Sequence, residues 1–110
     1  MYVYDEANNL AKAIQESKEY LEYKKAKESL NQNLELKQKI DEFEKIRYEV
    51  QVMAFQGDKE SEEKTLKLQE MYNMLVQDAK IKEYFDIEVR FNIILADVNK
   101  IISESVKDLL

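Results

Sequence analysis

The chain has 110 residues, 36% of them charged and 45% apolar, and carries a formal net charge of −6 with no cysteine, no histidine, no proline and a single glycine. That inventory excludes disulfides, thiol nucleophiles, cysteine-ligated metal and imidazole acid–base chemistry. The acidic balance also argues against direct nucleic-acid binding, which draws its affinity from neutralising phosphates.

With Gly57 as its one flexible position and no proline, the chain has little with which to close β-hairpins. Its abundant Glu, Lys, Leu, Ile and Ala favour helix. The expectation is an all-α protein, one domain over 1–110, with about five helices in a bundle and a long C-terminal helix. The N-terminal "MYVYDEANN" lacks the basic and apolar regions of a signal peptide. No apolar run approaches the ~18 residues of a membrane span. Cytoplasmic residence without membrane insertion is therefore expected.

The first helix is expected from about Tyr4 or Asp5 to Gln15, with Val3, Ala7, Leu10, Ala11 and Ile14 on one stripe. Ser17 reads as an N-cap that restarts the chain as a second helix, with Tyr20, Tyr23, Ala26 or Lys27, and Leu30 inward. The break is soft enough that the two are also readable as one kinked helix. In "LNQNLEL", Asn33 is the better cap for a third helix running from Leu34 to about Gln56. Its inner face is Leu36, Ile40, Phe43, Ile46, Val50, Met53 and Ala54. Gly57 ends it, because glycine enters the left-handed region at little cost. "GDKESEEK" reads as a mobile connection, at about 57–63. A fourth helix begins between Ser61 and Lys64 and ends near Gln77, with Leu68, Met71, Tyr72 and Leu75 inward.

Asp78 reads as the cap of a fifth helix extending to about Asp108. Between Ile81 and Leu109 its apolar residues fill an arc of roughly 200°, where an ordinary surface helix needs about 100°. Val89, Ile93 and Ala96 add apolar surface on the opposite side. A chain of this size covers one side of such a rod more readily than two. Tyr84, Ile87, Phe91, Ile94, Leu95, Val98, Ile101 and Ile102 are therefore the expected core and dimer interface, shared with a second copy or a homologous helical chain. The competing arrangement is a closed monomeric bundle with this helix at its centre.

Candidate chemistry is sparse. Asp41, Glu42, Glu44, Glu49, Glu60, Glu62 and Glu63 raise a di-metal carboxylate centre, but that site needs Glu-x-x-His motifs, and solvated Glu–Lys pairs at i,i+4 account for the charges. No catalytic residue, metal, cofactor or small-molecule substrate is expected. "EYKKAK", with Lys24, Lys25 and Lys27, is flanked by Glu19, Glu22 and Glu28 and reads as a solvated face. Tyr20, Tyr23, Tyr72 and Tyr84 read as core, while Tyr2 and Tyr4 either pin the N-terminus or form part of a docking surface. Glu88 falls inside the apolar arc, about 60° from Phe91, and Arg47 lies about 40° from Phe43 on the third helix. Because a buried charge is costly unless paired, these two are the candidate buried ion pair; the alternative is that both sit at the arc's edge and reach water.

Several stretches together resemble the YlbF/YmcA/YheA family of small bacterial helical proteins. They are Ala7, Leu10, Ala11 and Ile14; "ESKEYLEYKKAKESL"; "IDEFEK"; and Glu88-Val-Arg-Phe leading to "DVNKII". The likeness covers nearly the whole chain and rests on diffuse apolar and Glu/Lys patterns. Relatives often carry proline after each capping Asn or Asp, where this chain has Leu34 and Ala79. The resemblance implies an all-helical fold associating through long helices. It also implies an accessory regulatory role of the kind relatives play in competence, sporulation and biofilm formation, two of them in a complex that modulates a membrane-bound endoribonuclease. The cysteine-ligated iron–sulfur clusters of that complex are not implied for a chain without cysteine. The expectation is a non-enzymatic dimeric regulator or adaptor acting on other proteins. The alternative is a structural or chaperone-like helical module.

Overall fold

The computed structural model describes residues 2–57 and 61–110, the side chain of Ser61 excepted. Among the described residues it contains five α-helices and no strand: α1 (Val3–Glu16), α2 (Lys18–Asn31), α3 (Leu34–Gln56), α4 (Ser61–Leu75) and α5 (Ala79–Ser105).

Each junction has a chemical cause. Ser17 adopts an extended backbone (φ −67°, ψ 150°) that breaks α1 from α2. Its hydroxyl oxygen accepts from the Tyr20 amide at 3.2 Å and its O–H donates to the Ile14 carbonyl at 2.6 Å. One side chain thus caps the helix that follows while satisfying the one that precedes, so the two helices are separate. Asn33 Oδ1 accepts from the Leu36 amide at 3.2 Å and opens α3. Gly57 closes α3 at φ 72°, its N–H donating to the Ala54 carbonyl. Asp78 Oδ1 accepts from the Lys80 amide at 2.9 Å and opens α5.

Two expected boundaries move inward. The fourth helix ends at Leu75 rather than Gln77, and α5 ends at Ser105 rather than Asp108. Beyond Ile102 the chain tightens: the Val106 amide donates to Ser103 and Leu109 to Val106, three residues back in each case. The Ser105 hydroxyl donates to the Ile102 carbonyl at 2.6 Å, a local bond that competes with helix continuation. At 27 residues, α5 is about 40 Å long. Of the expected mobile connection, 58–60 lie outside the described residues, and Glu62 and Glu63 belong to the first turn of α4.

The helices gather into two compact units, with α2 and α5 running through both. In the unit Glu28–Glu83, α3 and α4 pack antiparallel. Phe43 stacks against Tyr72 with ring centroids 6.1 Å apart, and one turn and a half further along α3 Glu49 meets Lys64 at 3.5 Å. Ile40, Phe43 and Ile81 are buried here. The α3 stripe faces inward as the spacing requires, except that Ala54 is exposed. Tyr72, expected inward, keeps 37% of its surface exposed while its ring flanks Phe43. The other unit joins the stretch through Lys27 to Tyr84–Leu110. Its buried residues are Tyr84, Phe85 and Glu88.

Candidate functional site

Two features of the unit that holds α1 and most of α5 stand apart from ordinary helix packing. The first is a polar contact inside an aromatic cluster. Residues at i and i+3 on α2 place Tyr20 and Tyr23 on one face. Both rings flank Phe91, at 6.0 and 5.5 Å between centroids, and Tyr23 also lies 6.0 Å from Tyr84. Among these rings the Tyr23 hydroxyl donates to Glu88 Oε2 at 3.0 Å. Glu88 is 6% exposed, so its carboxylate is compensated by a donor held in place by aromatic packing. Burial, chiefly, pushes the Tyr23 hydroxyl well above the ordinary tyrosine range, and the charge of Glu88 and the neighbouring Tyr84 push it the same way. Lys27 Nζ lies over the Tyr23 ring at 4.9 Å. At the rim Arg90 meets Glu22 at 3.7 Å, an exposed pair of small energetic weight.

Of the two residues expected to pair, Glu88 belongs to one unit and Arg47 to the other. Arg47 lies 5.6 Å over the Phe43 ring and 3.9 Å from Glu44 on α3. The Tyr23 partner of Glu88 lies 65 positions away in the sequence. The only available sequence signal was that Tyr23 sits on the inward stripe of α2. A helical wheel shows that it faces inward but not what it meets there.

The second feature is a gradient of exposure along α5. Of the expected interface residues, Tyr84 is buried, and Ile87, Phe91, Ile94, Leu95 and Val98 are half-buried. Ile101 and Ile102 are 68% and 51% exposed. The cover of Tyr20 and Tyr23 reaches as far as Phe91. Helix α1 adds to the uncovered surface. It has no buried residue, and of its stripe only Ile14 is even half-buried; Val3 is 76% exposed. Tyr2 and Tyr4 stack edge-on at 5.4 Å and are both exposed. Among the described residues, no group of three or more acidic side chains is placed to hold a metal ion, and no helix is long and apolar enough to cross a membrane.

These features define an all-α protein in which Glu88, the one buried carboxylate among the described residues, is engaged with a tyrosine and the longest helix carries bare apolar surface at its far end. The chain belongs to the family described as control of competence regulator ComK, YlbF/YmcA, whose model matches residues 3–107. Its curated relatives include a UPF0342 protein of Symbiobacterium thermophilum, 38% identical over 94% of this chain and 93% of the relative. A UPF0342 protein of Caldicellulosiruptor bescii is 34% identical over 96% of this chain and 88% of the relative. One of Alkalihalophilus pseudofirmus is 32% identical over 97% and 91%.

Proposed function

We propose that this chain is a non-enzymatic cytoplasmic regulator that acts by protein–protein association, as a dimer or with a homologous helical chain, through the face of its C-terminal helix. It would serve the control of RNA turnover or of developmental programmes such as competence, sporulation and biofilm formation. The observation that carries the association is the exposure of Ile101 and Ile102 on the same stripe as the buried Tyr84. A continuous apolar stripe left half-uncovered marks a surface that meets another macromolecule. The regulatory half of the reading draws on the description of the family, which names control of a competence regulator. Against catalysis stands the chemistry of the side chains. Glu88, the one buried acidic residue among those described, accepts a hydrogen bond from Tyr23 within a ring cluster.

Light scattering at micromolar concentration tests the association. Twice the 13.1 kDa chain mass or more is expected, and a strictly monomeric species removes the reading. Affinity capture from a bacterial lysate tests the regulatory half. Recovery of a defined nuclease or competence complex, lost in an Ile101→Glu variant, is the expected result. A chain that self-associates and recovers no such complex is a structural module.

A further inference from the structure

We propose that this chain carries a second docking surface, on the outer side of α3, where Tyr48, Val52 and Phe55 enter an uncharged apolar groove of a protein unlike itself. The surface lies within the unit Glu28–Glu83 and does not rest on the reading of the α5 face, so either can fail without the other.

Exposure is the first ground. Phe55 is 95% exposed and Tyr48 68%, with Val52 between them at 37%. At positions i, i+4 and i+7 the three share one face of α3. That face lies about 160° round the helix from the half-buried Ile46, Val50 and Met53. Aromatic rings left in water add nothing to the fold that carries them, whereas a partner that desolvates them gains a large apolar area.

Charge identifies the occupant. The chain is 36% charged, yet from Tyr48 to Gly57 its one charged residue is Glu49, and Lys64 already meets that carboxylate at 3.5 Å. Gln51 and Gln56, both exposed, flank the stripe with neutral amides. Depletion of charge together with aromatic side chains is the composition of an interface centre. The matching surface is therefore apolar and uncharged. Spacing and area give its shape. Anchors at i, i+4 and i+7 are those of a helix laid into a groove. The three side chains expose roughly 400 Å². Two copies laid stripe to stripe would bury roughly 800 Å² in all, short of the ~1,000 Å² that a specific interface needs. A groove also closes on the flanks of the helix, taking in Gln51 and Gln56, and so reaches that size. The occupant is thus a grooved protein and not a second copy.

The test replaces Tyr48, Phe55 or Glu42 of the full chain with the photo-crosslinker benzoylphenylalanine, in cells that carry this chain natively. Glu42 is exposed on another side of α3. The proposal expects one and the same protein adduct from positions 48 and 55 and none from position 42. That protein, identified and purified, is expected to bind the wild-type chain about equally at low and high salt. Phe55→Ser is expected to weaken this binding about tenfold or more, at unchanged helix content and unchanged solution mass, while Glu42→Ser binds like the wild type. Adducts only at multiples of the 13.1 kDa chain mass assign the stripe to a second copy, and adducts only to lipid assign it to a membrane. Either result overturns the proposal, as does the absence of any adduct from positions 48 and 55. Binding that falls steeply with salt, or that is indifferent to Phe55→Ser, overturns it as well.

Discussion

Tyr23 and Glu88 show how a buried charge is held by a group that is itself hard to ionise. A carboxylate among four aromatic rings is stable only with a donor in place, and the Tyr23 hydroxyl at 3.0 Å is one. Replacing Tyr23 with Phe keeps the ring contacts with Phe91 and Tyr84 and removes the hydroxyl. The expected loss in a urea or thermal melt at neutral pH is roughly 1.5–3 kcal/mol, the range for hydrogen bonds to charged groups. The pH dependence has a definite sign. The Tyr23 hydroxyl titrates above its ordinary range in the folded state because of burial and Glu88, whereas in the unfolded chain it titrates near ~10. Above that pH the folded state binds more protons than the unfolded one, so stability falls as pH rises. The advantage of the wild-type chain over Tyr23→Phe is therefore constant below about pH 10 and shrinks above it. Paired melts at neutral and alkaline pH check this; an advantage that grows with alkali contradicts the assignment.

At the scale of elements, most of the architecture is legible because its signals are local. Ser17, Asn33, Gly57 and Asp78 act within a few residues of themselves, and all four end or begin helices where their chemistry places them. Asn33→Ala is expected to cost about 1 kcal/mol, in line with other lost N-caps. Leu34→Pro, one residue later at the first helical position, is expected to be neutral or slightly stabilising. Thermal melts of the two variants separate cap chemistry from general sensitivity at this junction. Gly57→Ala is expected to destabilise by roughly 1 kcal/mol, close to the penalty for an L-residue in the left-handed region. The φ of 72° supplies that cost, since no atom lies within 4 Å of the added methyl. What the wheel could not supply is which stripes find cover. The α1 stripe is as regular as that of α3, yet α3 buries Ile40 and Phe43 and α1 buries nothing. Periodicity reports that a face is apolar; the tertiary arrangement decides what meets it. For the same reason the inward placement of Glu88 was readable while its hydrogen bond with Tyr23, on another helix, was not.

For the molecule as a whole, the sign of the charge and the character of the exposed face pull in opposite directions, and that opposition makes the association testable without a mutation. Each copy carries −6, so two copies repel at low ionic strength. The stripe that would join them, around Ile101 and Ile102, is apolar. Added salt screens the repulsion over roughly 10 Å at 0.1 M and leaves apolar burial intact. Association is therefore expected to tighten between low and physiological salt, the reverse of what an interface built on exposed ion pairs would show. Melting should report the same coupling: binding a second copy stabilises the folded state by mass action, so the midpoint rises with protein concentration. A tenfold increase adds at most about 1.4 kcal/mol per dimer, a shift of a few degrees for a chain of this length. Sedimentation velocity across a salt series, with melts at two protein concentrations, reads both effects. Weaker association at higher salt would assign the contact to charges such as Glu22 and Arg90 rather than to the bare end of α5.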